Sequence, residues 1–240
     1  MNKNEFIEKI HSGLIVSCQV KQTDPHYDEN TVTNMAKAAI WGGASGLRLE
    51  SPTDITNVRN LTDLPIIGLW KNYRDNSEVF ITWSMEQVTK VVEAGIDVIA
   101  VDATNRLNPE GKKAFEIIRE IKKKYPDLLV LADIRDDSDV DTAIEYGADF
   151  IAPTLYRFSP IAKSDSEPDF EMLTKIVRKV NGRCEVIMEG KITTPEQAVL
   201  SLYYGAIAVV VGNAITRPHI VTRKFVDTIK GFPEKRSLYY

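Results

Sequence analysis

The fold is decided by residues 185–196, which read EVIMEGKITTPE. Three consecutive apolar residues predict a buried strand that is too short to be a helix. The strand ends at Glu189 and a glycine, and a helix then begins, because Thr194 can cap it and proline suits its first position. A charged residue at the carboxyl end of a buried strand is where α/β proteins carry their chemistry. On this stretch alone, a structural ion pair explains Glu189 as well as a functional role does.

The same order of buried strand, turn and amphipathic helix recurs along the chain. The predicted strands are Leu14–Cys18, Gly46–Leu49, Pro65–Trp70, Ile96–Val101, Leu128–Ala132, Phe150–Pro153, Val186–Met188 and Ala208–Val211. Eight strand–helix units in 240 residues predict a single-domain TIM (β/α)8 barrel over residues 1–232, followed by a C-terminal tail at 233–240. An open doubly wound sheet is the competing fold, but no strand is followed by the G-x-G-x-x-G signature of its dinucleotide-binding form.

Composition excludes several classes of function. The chain is 43% apolar and carries a net charge of −4 without a basic stripe, so nucleic acid is not an expected partner. No apolar run is long enough to span a membrane, and the N-terminus does not resemble a signal peptide. The two cysteines form no disulfide framework, and together these features predict a cytoplasmic protein.

A polar residue or a glycine stands at or just beyond the carboxyl end of every predicted strand, and a barrel gathers these positions into one ring. They are Gln19, Arg48, Lys71, Asp102, Asp133, Thr154, Glu189 and Gly212–Asn213. Any one of the charged members could be a structural ion pair, but so many in one partly dry cavity would be an expensive arrangement without a function. We therefore place the candidate site on this ring.

Lys71 and Glu189 are the candidate catalytic residues within the ring. A lysine desolvated at a strand end can supply a neutral amine, and a carboxylate facing it can supply a second proton carrier. Two such groups on opposite sides of one carbon suit removal of a proton and its return from the other face. The alternative is that Lys71 only neutralises Glu189 or Asp133.

Residues 209–218, VVVGNAITRP, have the features of an anion site. Gly212 would let the backbone approach a ligand, a helix start follows, and the Arg217 guanidinium can bind phosphate oxygens as a fork. Gly190 and Lys191 follow the seventh strand, and loops after strands 7 and 8 often bind phosphate in this barrel.

No metal site is predicted. The histidines His11, His26 and His219 are isolated in the sequence, and no cysteine cluster is present. Asp102 and Asp133 could hold magnesium, although such carboxylates also hydrogen-bond sugar hydroxyls. Cys18 has no histidine beside it, and a buried unreactive thiol is the expectation.

Five segments together resemble the N-acetylmannosamine-6-phosphate 2-epimerases, over roughly residues 13–230. They are LIVSCQ at 14–19, DAT at 102–104, ADI at 132–134, EGKITTPEQA at 189–198 and VVVGNAITRP at 209–218. The resemblance implies a phosphate-binding (β/α)8 barrel that interconverts N-acetylmannosamine 6-phosphate and N-acetylglucosamine 6-phosphate without an organic cofactor. It also implies a homodimer that exchanges its C-terminal helices, here residues 218–230.

The resemblance also implies roles for individual residues. Lys71 and Glu189 match the proton-transfer residues of the family, and Gln19, Arg48 and Asp133 match its substrate contacts. Arg217 and the backbones of Gly190 and Gly212 match its phosphate site. The substrate-binding set that we predict is completed by Thr154, Lys191 and Asn213.

Three departures from the family pattern concern the sugar contacts. Asn213 replaces the second of two glycines, and asparagine still tolerates positive φ. Residues 154–159 read TLYRFS where the family tends towards TLSGYT, and Asn72 and Tyr73 stand where it tends towards R-D-Y. Two other functions stay open at this stage: a Schiff-base aldolase or lyase that uses Lys71, and a phosphosugar-binding barrel without activity.

Overall fold

The protein is a closed barrel of eight parallel strands, in the computed structural model that describes residues 1–75, 77–156 and 167–232. Each strand pairs with the next along the chain, and the first pairs with the eighth, with Ile15 opposite Val210. The (β/α)8 prediction is therefore confirmed. The predicted tail at 233–240 and most of the loop after the sixth strand lie outside the described residues.

The eight strands lie within one or two residues of their predicted bounds. They are β1 Gly13–Cys18, β2 Gly46–Glu50, β3 Ile66–Leu69, β4 Val98–Asp102, β5 Leu129–Asp133, β6 Phe150–Ala152, β7 Glu185–Glu189 and β8 Ala208–Val211. The apolar run at the centre of β7, residues 186–188, is buried, as expected of a strand covered on both faces.

Helices alternate with the strands and cover the barrel. They are α1 Lys3–Ile10, α2 Thr31–Trp41, α3 Pro52–Arg59, α4 Met85–Glu93, α5 Glu116–Lys124, α6 Val140–Tyr146, α7 Phe170–Val180, α8 Pro195–Tyr203, α9 Asn213–Thr216 and α10 Pro218–Lys230. The predicted cap is present in α8, where the Thr194 side chain accepts a hydrogen bond from the Gln197 backbone N–H.

One helix start differs from its predicted position. The periodic pattern predicts a helix from Lys112, but α5 begins at Glu116. A β-bridge joins Leu107 to Lys113, and the Asn108 side chain accepts hydrogen bonds from two backbone N–H groups of the same loop. The loop thus satisfies its backbone groups without a helical turn, which the periodicity of apolar residues does not reveal.

The core has two layers, one inside the barrel and one between the strands and the helices. The N-terminal helix α1 closes the amino end of the inner layer with Phe6 and Ile10, both fully buried. The Phe6 ring packs at 5.0 Å from the Phe150 ring, measured between centroids. With one end plugged by apolar side chains, the polar groups collect at the carboxyl end of the strands.

The C-terminal helix α10 packs differently from the others. None of its residues is buried, whereas α2 to α7 each bury at least two side chains. Among the residues that the structure describes, no helix has the length and apolar character needed to cross a lipid bilayer.

Candidate active site

Arg48 is the centre of the polar ring at the carboxyl end of the barrel. Its side chain is 1% exposed. Its two terminal nitrogens donate to both oxygens of Asp133, at 2.5 Å and 3.1 Å, and Nη1 also donates to Glu189 Oε2 at 2.6 Å. The bidentate geometry is the arrangement that a planar guanidinium favours with a carboxylate. One buried arginine therefore ties β2 to β5 and β7.

The Asp133 carboxylate has a further partner in Thr154, which lies just after β6. The Thr154 hydroxyl donates to Asp133 Oδ1 at 2.6 Å. Asp133 is completely buried, and its oxygens are held by the guanidinium and the hydroxyl together. The structure thus brings Arg48, Asp133, Thr154 and Glu189 into one connected network, as their strand-end positions predict.

Burial raises the pKa of Glu189 to about 7. The Arg48 and Lys71 charges lower this pKa, whereas the Asp133 charge raises it, and desolvation is the largest effect. Burial also lowers the pKa of Arg48, but its two carboxylate partners more than offset that effect and raise the pKa overall. Glu189 is therefore a carboxyl group poised to take up or release a proton near neutral pH.

Lys71 lies just beyond β3, on the opposite side of the barrel from β7. Its Nζ donates to Gln19 Oε1 at 2.5 Å and forms an ion pair with Glu50 Oε2 at 3.3 Å. The backbone of Lys71 is fixed as well, by a β-bridge to Ile81. The Lys71 charge lowers the pKa of Glu189, and the two residues stand at the carboxyl ends of opposite strands of the barrel.

The ion pairs differ from those that the sequence suggests. Arg48 neutralises Glu189 and Asp133, and the carboxylate within 4 Å of Lys71 is that of Glu50. The Lys71 side chain is 23% exposed and pairs with a carboxylate, so it is not the desolvated lysine that its strand-end position predicts. Glu50 is absent from the predicted site, although it stands two residues after Arg48 on β2. That spacing places both side chains on the same face of the strand.

Asp102 has a structural role in a local network. Its carboxylate accepts from Arg106 at 2.7 Å and from the Thr104 hydroxyl at 2.7 Å. Burial raises the pKa of Asp102, and these two partners oppose the increase.

In the described part of the chain, no group of three or more His, Cys, Asp or Glu side chains is arranged to hold a metal ion. Burial raises the pKa of the Cys18 thiol to about 12, which keeps the thiol unreactive.

The loop after β8 is anchored beside β1. A Cβ atom added to Gly212 would lie 3.4 Å from the Ser17 Cβ, and the Thr216 hydroxyl donates to the Ser17 carbonyl at 3.2 Å. Asn213 begins helix α9 and does not adopt positive φ, so the tolerance expected of asparagine there is not used. In the two loops after β7 and β8, positive φ is adopted instead by Gly190, at 122°, and by Lys191, at 59°.

Arg217 follows α9 and forms an ion pair with Asp24, at 3.3 Å, in the loop after β1. His219 lies 3.7 Å from the same carboxylate, and its ring contacts that of His26, with 5.1 Å between centroids. These two histidines, isolated in the sequence, come together in the fold because the loop after β1 folds against the start of α10. Neither Asp24 nor this contact is predictable from spacing, since the partners lie almost 200 residues apart.

Tyr73 lies in the loop after β3, two residues beyond Lys71. Burial and the Glu50 charge raise the pKa of its hydroxyl to about 12, and the Arg217 charge lowers it. The Tyr73 ring stacks on Phe80 at 4.8 Å between centroids, and this contact fixes the loop after β3.

Comparison with known proteins gives one consistent family. A family model described as "Putative N-acetylmannosamine-6-phosphate epimerase" matches residues 32–231. A protein of Caldanaerobacter subterraneus subsp. tengcongensis named "Putative N-acetylmannosamine-6-phosphate 2-epimerase" is 42% identical over 94% of this chain and 94% of its own length. A protein of the same name from Borrelia garinii subsp. bavariensis is 40% identical over 93% of this chain and 97% of its own length.

A solved structure gives the same result. The N-acetylmannosamine-6-phosphate 2-epimerase from Clostridium perfringens superposes with a TM-score of 0.84 at 35% sequence identity. The alignment covers 92% of this chain and 95% of that structure.

The raised pKa of Glu189 predicts a pH-dependent stability. Between the ordinary value of 4.5 and about 7, the folded protein holds a proton that the unfolded chain releases, so the free energy of unfolding falls as pH rises through this window. We expect Glu189→Gln to remove this fall, which corresponds to roughly 1–3 kcal/mol between pH 5 and pH 8. Urea unfolding at a series of pH values measures it.

Glu185→Gln, at the other end of β7, is the matched control and should keep the wild-type pH profile. Parallel profiles for Glu189→Gln and the wild type would show that Glu189 ionises in the ordinary range.

Proposed function

The chain belongs to the N-acetylmannosamine-6-phosphate epimerase family, and we propose that it interconverts N-acetylmannosamine 6-phosphate and N-acetylglucosamine 6-phosphate. The observation that carries the proposal is the placement of Lys71 and Glu189 at the carboxyl ends of opposite strands of one closed barrel, where Glu50 and Arg48 of β2 pair with them. This is the arrangement that proton removal on one face of a carbon and proton return on the other face requires.

The reaction inverts a carbon that bears an acetamido group, so its C–H bond must break. In the ring-opened sugar this carbon, C2, lies beside the C1 aldehyde, and the negative charge left by the proton spreads onto the aldehyde oxygen as an enolate. A proton returned to the other face of C2 gives the epimer, and no electrons are gained or lost overall. The site must therefore position two proton carriers and stabilise one oxygen anion.

Glu189 is the proton acceptor in the direction where Lys71 is the donor, and the two exchange roles in reverse. A pKa of about 7 gives Glu189 a large ionised fraction at neutral pH while keeping it basic enough to accept a proton. The Lys71 ammonium supplies the proton to the opposite face, and its charge also favours the enolate oxygen. Arg48 holds Glu189 and Asp133 in place, and Gln19 holds Lys71.

The sugar phosphate binds at the loops after β7 and β8. Arg217 supplies a guanidinium there, and the backbones around Gly190, Lys191, Gly212 and Asn213 supply N–H groups near a helix start. Asp24 is the partner of Arg217 in the structure, and the phosphate takes its place when substrate binds. The phosphate is bound away from C2, and the energy of this binding helps to position the reacting carbon.

The exposed apolar face of α10 supports a homodimer with exchanged C-terminal helices. Phe225 is 66% exposed and Ile229 is 69% exposed, and the adjacent α8 exposes Tyr203. A helix that buries nothing against its own barrel has an apolar face that a second copy can cover.

The two buried free cysteines fit a reducing compartment, so the cytoplasm is the proposed location.

Catalysis by Lys71 and Glu189 is tested by hydrogen exchange at C2. With N-acetylmannosamine 6-phosphate in heavy water, NMR reports both conversion and deuterium at C2. We expect Lys71→Met and Glu189→Gln each to lose about 10²–10⁴-fold in both rates, since each removes one proton carrier.

The control variants are Lys90→Met and Glu185→Gln, which lie away from the ring and should behave as the wild type. Normal exchange by both site variants would refute the assignment. Trapping of a Lys71 adduct by borohydride would favour an aldolase, and binding of the sugar without exchange by the wild type would favour a non-catalytic barrel.

The phosphate site is tested by Arg217→Met. Loss of a charge-assisted contact of about 1.5–3 kcal/mol should raise KM for the phosphosugar roughly 10- to 150-fold, with a smaller effect on kcat. Arg183→Met is the control, because Arg183 forms its ion pair with Asp141 on the surface. An unchanged KM for Arg217→Met would place the phosphate elsewhere.

The dimer is tested by light scattering during size-exclusion chromatography. The double substitution Phe225→Asp and Ile229→Asp puts charges on the apolar face of α10 and should give monomers. Leu61→Asp, at another exposed apolar position, should leave the dimer intact. A monomeric wild type at micromolar concentration would contradict the proposal.

A further inference from the structure

We propose that Glu50 is a positioning residue that holds the Lys71 side chain in place at the site. The proposal rests on the proposed epimerase function and deepens it. It is carried by the ion pair of 3.3 Å between Glu50 Oε2 and Lys71 Nζ, a contact that the resemblance to the family does not include.

The register of the sheet explains why Glu50 reaches Lys71. Glu50 is the last residue of β2 and lies opposite Leu69, the last residue of β3, so Lys71 follows two residues later on the neighbouring strand. Arg48 and Glu50 share one face of β2 because they are two residues apart. The deeper position holds the guanidinium, and the position nearer the mouth holds the carboxylate.

The charges of the site divide into two separate groups. Arg48 binds Asp133 and Glu189, and its side chain is 1% exposed. Glu50 is 26% exposed and pairs with Lys71, which is 23% exposed. The groups that face Lys71 from neighbouring elements are therefore Glu50 on β2, Gln19 beyond β1 and, across the barrel, Glu189 on β7.

Glu50 and Gln19 hold Lys71 from two sides. Gln19 Oε1 accepts from Nζ at 2.5 Å, and the Gln19 amide nitrogen in turn donates to the Ser17 hydroxyl at 3.0 Å. A lysine has four rotatable side-chain bonds, and an unheld ammonium would sample many positions. Proton transfer to C2 needs the nitrogen within about 3–3.5 Å of the carbon, so a restrained ammonium lowers the barrier.

The experiment compares Glu50→Gln, Glu50→Asp and the control Glu86→Gln. Glu86 forms a surface ion pair with Lys90 at 2.7 Å, so the control removes the same kind of pair outside the site. We expect Glu50→Gln to lower kcat about 10- to 100-fold with less than about a threefold change in KM, as expected for a mispositioned proton carrier. Glu50→Asp should recover part of kcat, and Glu86→Gln should match the wild type.

A second readout does not require activity. A lysine side chain held by an ion pair samples fewer positions than a free one, so carbon-13 relaxation of the Lys71 side chain, with its signal assigned by its absence in Lys71→Met, follows how firmly the side chain is held. We expect Glu50→Gln to increase the mobility of the Lys71 side chain, while Glu86→Gln leaves it unchanged.

Several results would overturn the role of Glu50. They are a wild-type kcat for a folded Glu50→Gln, an unchanged mobility of the Lys71 side chain, or a raised KM with normal kcat, which would make Glu50 a substrate contact. If Glu50→Gln does not fold, as judged by thermal denaturation, the Glu50→Asp variant decides by the same readouts. A wild type that does not exchange C2 hydrogen would refute the proposed function, whereas the mobility of the Lys71 side chain would still report on Glu50 and Lys71.

Discussion

The Arg48 guanidinium, buried inside a ring of strands and shared by two carboxylates, is the interaction on which the site depends. Removing such charges from water is costly, and well-placed partners recover that cost. Asp133 and Glu189 are the partners of the two terminal nitrogens, at distances of 2.5 Å to 3.1 Å, whereas Nε has no hydrogen-bond partner among the described residues. Loss of one member of a buried pair typically costs about 3–5 kcal/mol, because it leaves the other charge unpaired. The three strands β2, β5 and β7 are thereby locked together at their functional end.

This constraint explains how a lysine and a glutamate can share one site without neutralising each other. If Glu189 were the counter-ion of Lys71, the two proposed proton carriers would be bound to one another. Instead, Arg48 forms an ion pair with Glu189, and Glu50 forms an ion pair with Lys71. The desolvation that comes with the central network also raises the pKa of Glu189 towards neutrality. The network around Arg48 therefore sets both the position of Glu189 and its affinity for a proton.

Much of the fold could be predicted from the sequence, because the signals are local. Short apolar runs followed by amphipathic helices define the strand–helix units, and closure follows from their number. Lys71 and Glu189 stand at strand ends, so their presence at the same end of the barrel follows from the fold as well. The Thr194 cap was predictable for the same reason.

The partners of these residues could not be predicted in the same way. Which carboxylate binds Arg48 depends on the depth of each residue in the barrel, which is set by the register between strands rather than by the local sequence. Glu50 directly follows the predicted end of β2 at Leu49, but the prediction takes the first polar residue at that strand end, which is Arg48. The contact between His26 and His219 and the ion pair of Arg217 with Asp24 join loops from opposite ends of the chain. The start of α5 was misplaced because side-chain hydrogen bonds to the backbone compete with the helix.

The most direct measurement of the central claim is a carbon-13 NMR titration of the glutamate side-chain carboxyl groups, with the Glu189 signal assigned by its absence in Glu189→Gln. If the buried network around Arg48 sets the proton affinity of Glu189, its titration midpoint lies near pH 7. A midpoint near the ordinary value of 4.5 would show that Glu189 is not desolvated in this way, and the account of the site would be wrong.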